Sequence, residues 1–231
     1  MPIINMVYKK KKWWKPWANT IAYYPLTSAS TVNDMSGNNR NLTIHNSPIF
    51  WISYWVDCMK CYWSDWNWGW NGLYTTSFPT STLWSSFSIW CWCLLEGSSW
   101  IWVCSAQWNP RNWITFALEN TYVTSERLNN GSINRIRYSW TITKNVWHYL
   151  LTTYDNWAWN IYYDSQLVAT WNYAIGSSSI MGIWIYCSGW TPSWYNYVCN
   201  GYISNVIMEN KVRTADDVTA YYNLTKANYW L

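Results

Sequence analysis

The stretch NVWHYLLTTYDNWAWNIYYDS, Asn145–Ser165, decides how this chain is read. His148–Asp155 has the β-branched and aromatic content of a strand, and Asn160–Asp164 has that of a second one. The turn between them is then Asn156, Trp157, Ala158 and Trp159. A turn that tight favours Gly or Asn, which reach positive φ at little cost. Two indoles are a poor local choice, and the same mismatch recurs along the chain.

The 231 residues include 25 Trp and 9 Gly, where average usage gives about 16 Gly for this length. The tryptophans crowd into segments that are otherwise Ser, Asn, Asp, Pro and Gly: Trp13, Trp14 and Trp17; Trp66, Trp68 and Trp70; Trp190 and Trp194. That surrounding composition is loop chemistry. The pattern is that of a gene reading UGA as glycine, translated with a table that reads it as tryptophan. The alternative is a Trp-rich sugar- or membrane-binding protein. Misread positions are expected in loops, exposed, some with positive φ. TGG codons at them overturn the recoding.

Charged residues make up 11% of the chain, and Lys9–Lys12 with Lys15 supply five of the 15 basic ones. Without that run the chain is near neutral, and no basic face of the kind that tracks nucleic acid is present. No stretch approaches the ~20 apolar residues of a membrane span. The basic run is followed by Trp, Lys, Pro and Asn rather than an apolar signal-peptide core. The expected location is therefore extracellular by an unusual route, or virion-associated. The seven cysteines show no disulfide framework. Cys58 and Cys61 have metal-knuckle spacing without a second pair, and Cys91 and Cys93 read as small buried residues of one strand face.

Residues 1–17 read as a flexible basic leader and 18–231 as one domain. Strands are expected at Thr20–Leu26, Leu42–Ile44, Leu73–Thr76, Ser85–Leu95, Trp100–Cys104, Trp113–Leu118, Tyr122–Ser125, Ile133–Ser139, Gln166–Thr170, Ile180–Cys187 and Tyr202–Met208, beside the two above. Pro48–Trp70 reads as irregular. In Ser85–Leu95, Phe87, Ile89, Cys91 and Cys93 share one face while Trp90, Trp92 and Leu94 share the other, as in a central strand buried on both sides. Short strands separated by turn signals predict an all-β antiparallel sandwich. Thr214–Tyr222 is the one helical stretch, with Thr214 and Asp217 forming a capping box. Val218, Tyr221 and Tyr222 form its expected buried stripe, set against a sheet edge.

Several of these segments together resemble the laminin-G-like, concanavalin A-like lectin family of jelly-roll domains. Phe87–Cys93 is similar to its "FTISAWV" strand. Asn145–Val168 is similar to its W-H … T-Y-D-G … Y-x-D-G-x-L-V hairpin, carried by Trp147, His148, Thr153, Tyr154, Asp155, Tyr163, Asp164, Leu167 and Val168. Ile21–Asn41 resembles the opening strand and D-x-S-G-N turn, Asn200–Met208 the late F-x-G-x-I-D strand, and Thr214–Tyr222 the closing helix. The resemblance covers roughly residues 18–225 in order. It places true tryptophans at Trp92 and Trp147, which are expected to be buried. Ser165 stands where the family has Gly.

The resemblance brings glucanases into view, but the chemistry argues against hydrolysis. Retaining glycosidases need two carboxylates about 5–5.5 Å apart, and Glu96, Glu119, Glu126 and Glu209 lack the family's catalytic spacing. Asp155 and Asp164 fall on facing strands, where Asp155 suits a turn-capping role. Of the two histidines, His148 reads as structural. Binding remains. The loops Ser64–Asn71 and Gly189–Tyr197 are the candidate ligand loops, through Asp65, Asn67, Asn71, Tyr195 and Tyr197; a tyrosine stacks on a sugar while its hydroxyl hydrogen-bonds. Asp34, Asn38 and Asn39 offer oxygens to Ca2+, against the simpler reading of an Asx turn closing its own loop. The expected function is a non-enzymatic module recognising a glycan or a surface protein, with an oligomer left open. The rivals are a purely structural virion or oligomer-forming jelly roll and a glycoside hydrolase.

Overall fold

The computed structural model describes residues 17–28, 32–45, 48–53, 56–62, 71–78, 86–96, 100–109, 112–119, 121–129, 132–139, 142–172, 181–187, 200–229 and 231. Fifteen strands appear among them. They are β1 (Thr20–Tyr24), β2 (Thr43–His45), β3 (Ile49–Ser53), β4 (Val56–Tyr62), β5 (Asn71–Phe78), β6 (Ser86–Leu95), β7 (Trp100–Asn109) and β8 (Asn112–Glu119). The series continues with β9 (Tyr122–Asn129), β10 (Ser132–Ser139), β11 (Trp147–Asp155), β12 (Ala158–Tyr163), β13 (Gln166–Asn172), β14 (Met181–Cys187) and β15 (Asn200–Glu209). A helix, α1 (Ala215–Thr225), and a 3-10 turn, Lys226–Tyr229, follow. Every strand pairing is antiparallel.

The strands form two sheets. Sheet A runs β13-β12-β11-β6-β15-β4-β3, with β1 also on β15; sheet B runs β10-β9-β8-β7-β14-β5-β2. The expected all-β sandwich is what the chain builds. β15 carries two partners along one edge. Asn200–Ile203 pairs with β4 and Val206–Glu209 with β1. Between them Asn205 turns into the left-handed region, φ 53°, and its N–H donates to the Pro25 carbonyl at 3.2 Å. A bulge shifts the inward face by one residue. Ile203 and Val206, rather than alternating residues, therefore point to the same core.

β6 alternates as its sequence predicts. Phe87, Ile89, Cys91, Cys93 and Leu95 face inward, with Leu150 and Tyr154 of β11 and Leu73, Leu118, Val123 and Ile136 of sheet B. Trp90, Trp92 and Leu94 face outward, with Trp147, Tyr149 and Leu151 of β11 and Tyr202 and Ile207 of β15. This outer face is covered by α1 and the 3-10 turn through Val218, Tyr221 and Tyr229. The helix thus lies on the face of the sheet and not at its edge. The outer tryptophans are too apolar to leave bare, and a helix is the nearest element able to cover them. α1 runs three turns, beyond the expected Tyr222, and the Thr214–Asp217 capping box forms in both directions. Val218 and Tyr221 are buried as expected; Tyr222 is half-buried and Thr225 takes the third buried place.

Three further expectations change. The segment read as irregular holds β3 and β4, paired with each other from Ile49–Lys60 to Ser53–Val56. The β11–β12 turn is shorter than read: Asp155 already pairs with Ala158, so only Asn156 and Trp157 lie between the strands. Asn156 takes the left-handed conformation, φ 49°. Trp157 is 63% exposed, but Trp159 is a buried strand residue. Its Nε1–H donates to Thr152 Oγ1 at 2.7 Å, and its ring meets Phe87 and Tyr154 edge-on. Trp92 and Trp147 are buried, as the resemblance implies. Among the described residues, no tryptophan has a positive φ; Leu26, Gly37, Asn39, Asn145, Asn156, Asp164, Ser165 and Asn205 do. The expectation of tryptophans at positive φ is not met there.

Trp17, placed by the sequence in the leader, is docked. Its carbonyl accepts from Thr20 N–H at 2.9 Å, and the Arg213 guanidinium lies 3.7 Å from its ring centre.

Candidate functional site

The two candidate ligand loops spring from paired strand ends. Tyr62, the last residue of β4, pairs with Asn200, the first of β15. Asn71, the first of β5, pairs with Cys187, the last of β14. The segments 63–70 and 188–199 therefore leave and enter the sandwich from neighbouring strands in each sheet. Asp65, Asn67, Tyr195 and Tyr197 lie outside the described residues; of the five, Asn71 alone is placed, as the opening residue of β5. A charged group stands beside these anchors. Glu96 N–H donates to the Asn200 carbonyl at 2.9 Å, and Lys60 Nζ lies 5.4 Å from the Tyr202 ring centre. Burial raises the Tyr202 phenol above its ordinary value, and the Glu96 carboxylate pushes the same way while Lys60 opposes it.

Asp34, Asn38 and Asn39 do come together, and their bonds show what they do. Asp34 Oδ1 accepts from the N–H groups of Tyr23 (3.0 Å) and Ser36 (2.9 Å). Its Oδ2 accepts from Ser36 Oγ (2.8 Å) and Arg40 N–H (3.1 Å). Four donors fill the acceptor sites of one carboxylate. Asn38 Nδ2 donates to the Thr20 and Ile21 carbonyls at 3.0 and 3.1 Å, and Asn39 supplies a left-handed turn residue, φ 57°. A calcium site needs six to eight oxygens free to face the ion. Here the Asp34 oxygens face their own loop, so these residues do not fit Ca2+ as they stand. Among the described residues, no group of three or more His, Cys, Asp or Glu is placed to hold a metal.

His148 is buried and both ring nitrogens are occupied. Nε2 donates to the Thr143 carbonyl at 2.8 Å, since a carbonyl only accepts. Nδ1 lies 2.8 Å from Asp164 Oδ2 and 2.7 Å from the Tyr163 hydroxyl. Asp164 Oδ1 also accepts from Tyr149 N–H at 2.8 Å. The constellation locks the β12–β13 turn, where Asp164 and Ser165 both have positive φ, 46° and 69°. That is the geometry for which a hairpin prefers glycine. No ring nitrogen is left to act as a base. Asp164 sits in the turn after β12, and not on the strand facing Asp155. Asp155 pairs with Ala158 at the other end of the hairpin, and accepts from Ser86 Oγ and Asn156 Nδ2 at 2.9 and 3.1 Å. With about 3.4 Å per residue, the length of β12 separates the two carboxylates far beyond a glycosidase pair. Glu209 is buried against Arg213 in a bidentate pair, with Arg213 Nη2 donating to Glu209 Oε1 at 2.6 Å. Burial raises the Glu209 carboxyl above its ordinary value despite the opposing Arg213.

One arrangement has no counterpart in the sequence reading. Tyr229, from the 3-10 turn, lies flat on Trp92 with ring centroids 4.1 Å apart and planes 13° apart. Trp147 meets it at 5.2 Å and 62°. Its hydroxyl donates to Ser204 Oγ at 3.3 Å and accepts from Asn205 Nδ2. These residues come from β6, β11, β15 and the 3-10 turn, and no local spacing joins them.

The described residues form an antiparallel two-sheet sandwich. Solved structures similar to this chain include botulinum neurotoxin binding domains. The serotype D/C binding domain superposes with TM-score 0.73 at 15% identity, over 89% of this chain and 52% of that one. Botulinum neurotoxin type C, whose cell entry is described as dependent upon interaction with two ganglioside molecules, gives TM-score 0.72 at 14% identity, over 89% and 51%. The DC binding domain in complex with SialylT gives 0.66 at 16% identity, over 90% and 52%. This chain spans about half the length of those domains. No protein-family model and no curated protein matches it.

Proposed function

We propose that the chain is a non-enzymatic recognition module whose partner is a glycan or a surface protein. The observation that carries this is the shared sandwich: it covers 89% of the chain and its counterparts are binding domains. The separation of Asp155 from Asp164 and the full use of His148 support the same reading. The paired anchors Tyr62–Asn200 and Asn71–Cys187 favour the loops they carry as the contact region. A glycan array, with and without Ca2+, tests it: binding to a defined glycan is expected, and independence from Ca2+ follows from the occupied Asp34 carboxylate. No binder on the array, together with no retention on surface proteins, overturns the module in favour of a structural jelly roll. Turnover of a β-glucan overturns it in favour of a hydrolase.

We further infer an extracellular or virion-associated setting and a recoded gene. Trp157, exposed in a two-residue turn, is the described position that best suits a glycine. Trp159 does not suit one, because its indole is packed and hydrogen-bonded. The codons at the 25 Trp positions decide: UGA at the loop positions supports recoding, UGG there ends it.

A further inference from the structure

We propose that His148, Tyr163 and Asp164 form a proton-operated latch on the β12–β13 turn: a ring carrying both protons holds the turn closed, and loss of the Nδ1 proton releases it. The latch is independent of what the chain recognises. Its basis is that two groups contend for one nitrogen. Nε2 is committed as a donor, because its partner at 2.8 Å is the Thr143 carbonyl. Nδ1 faces Asp164 Oδ2 at 2.8 Å and the Tyr163 hydroxyl at 2.7 Å. A carboxylate only accepts, so it bonds Nδ1 only when that nitrogen carries a proton. A neutral ring with its proton on Nε2 has a bare lone pair at Nδ1, which the Tyr163 O–H answers and the carboxylate repels. One proton therefore exchanges the partner of Nδ1 between Asp164 and Tyr163, the kind of local charge change that operates histidine switches.

Both states are provided for. Tyr163 keeps its hydroxyl proton: burial, with the Asp164 carboxylate adding to it, pushes the phenol far above its ordinary value. The Asp164 side chain is 27% exposed, against 6% for His148, so water takes over the released oxygen and no buried charge is stranded. The turn feels the exchange because it is held against local preference. Asp164 and Ser165 both have positive φ, 46° and 69°, a conformation that residues other than glycine keep only when their surroundings impose it. Of the carboxylate's two anchors, the Tyr149 N–H at 2.8 Å serves in either state, and His148 is the one that switches. The turn leads into β13, which lies at the end of sheet A beside β12. What loosens is therefore the end of a hairpin and not the core. Around this site stand Cys93 of β6, whose Sγ donates to the His148 carbonyl at 3.8 Å, and Tyr222 of α1, whose phenol is raised by burial and then by Asp164. Lys144 follows Thr143 in the loop that receives the Nε2 proton.

The test is nitrogen NMR of the imidazole rings in the full chain across pH, comparing wild type, Asp164→Asn and Tyr163→Phe; His45 in β2 gives the other imidazole signal. In wild type the neutral His148 ring is expected as the Nε2–H tautomer. Asp164→Asn removes the charge that the second proton answers, and the His148 midpoint should fall by about one pH unit. Tyr163→Phe removes the donor that the neutral ring uses, and the midpoint should rise. A merely structural role would not move it in opposite directions. Amide exchange, corrected for its intrinsic pH dependence, should show protection of residues 163–167 falling several-fold in wild type as pH rises through the His148 midpoint. In Asp164→Asn that protection should be constant through the midpoint. An Nδ1–H tautomer in wild type overturns the latch. So do midpoints that stay put or move the same way in both variants, and so does wild-type protection indifferent to the His148 titration. The tautomer and the wild-type exchange decide the matter if a variant fails to fold. None of these outcomes touches the recognition reading, which the glycan array and the surface-protein results decide.

Discussion

Sheet A buries both of its faces, but in different materials. The inner face is built of Phe87, Ile89, Cys91, Cys93, Leu150, Ile203 and Met208, packed on sheet B. The outer face is built of Trp90, Trp92, Trp147, Tyr149 and Tyr202, packed under α1 and the 3-10 turn. Polar groups fare differently on the two sides. Inward, Trp159 Nε1 reaches Thr152 and the Tyr163 hydroxyl reaches His148. Outward, Trp92 Nε1, Trp147 Nε1 and the Tyr149 hydroxyl have no partner among the described residues. Sheet-on-sheet packing is bilaterally constrained, so side chains interdigitate and each polar atom has a place. One helix over a broad sheet offers fewer side chains to answer a field of large rings. The inner face pairs its polar groups, whereas the outer face leaves these three without a partner among the described residues.

The largest test of this contrast is Phe87→Ala. Phe87 is fully buried and stacks on Tyr154 at 5.5 Å, so a loss of about 3–5 kcal/mol is expected by urea denaturation. A loss below about 1 kcal/mol would mean the inner face is not the main core. Tyr163→Phe comes next. It removes the hydroxyl bonded to His148 and should cost about 1–2 kcal/mol; no cost would dissolve the claim that inner polar groups are satisfied.

Asp217→Asn probes the hold of α1 on the outer face. Burial acts to raise the Asp217 carboxyl, but the Thr214 backbone bond, Lys211 and Arg213 outweigh it and hold it below its ordinary value. A carboxyl lowered in the folded state stabilises above its unfolded value and loses that effect as pH falls through the folded one. The variant should therefore be about 0.5–1 kcal/mol less stable near pH 7. The gap between it and wild type should close on acidification below the carboxylate range. A gap that is constant with pH would remove the carboxylate charge from the account.

The smallest effect carries the opposite sign. Tyr149→Phe deletes an orphaned hydroxyl from the outer face and should leave stability unchanged or raise it by up to about 1 kcal/mol. A loss matching that of Tyr163→Phe would show that the two faces do not differ in polar satisfaction.

Much of the fold was legible because β-structure writes itself with a period of two. The alternation in Ser86–Leu95 announced a strand buried on both sides, and the capping box at Thr214 announced the helix. β3 and β4 were missed because Asp57 and Lys60 break the apolar run and the flanking sequence has loop composition. The two pair with each other, but it is the pairing of β4 with the distant β15 that places them in sheet A, and such non-local pairing is not written in local propensity. The Asp34 turn was readable as a turn, since Asx chemistry acts within a few residues. Whether its oxygens were free for a cation was not, because two of the four donors, Tyr23 and Arg40, stand outside the Asx motif itself.

The Asn145–Ser165 hairpin divides the two kinds of knowledge. Its two strands and its structural His148 follow from residue type and spacing, because steric and β-forming preferences are local, and the Gly-like turn at Ser165 follows from the family resemblance. The burial of Trp159 against Phe87, and the stacking of Tyr229 on Trp92, are set by which strands lie side by side. Sequence by itself determined an antiparallel sandwich with a capped helix. The tertiary structure decided which aromatic rings pack between the sheets and which pack under the helix, since packing partners far apart in the chain meet only once the sheets have formed.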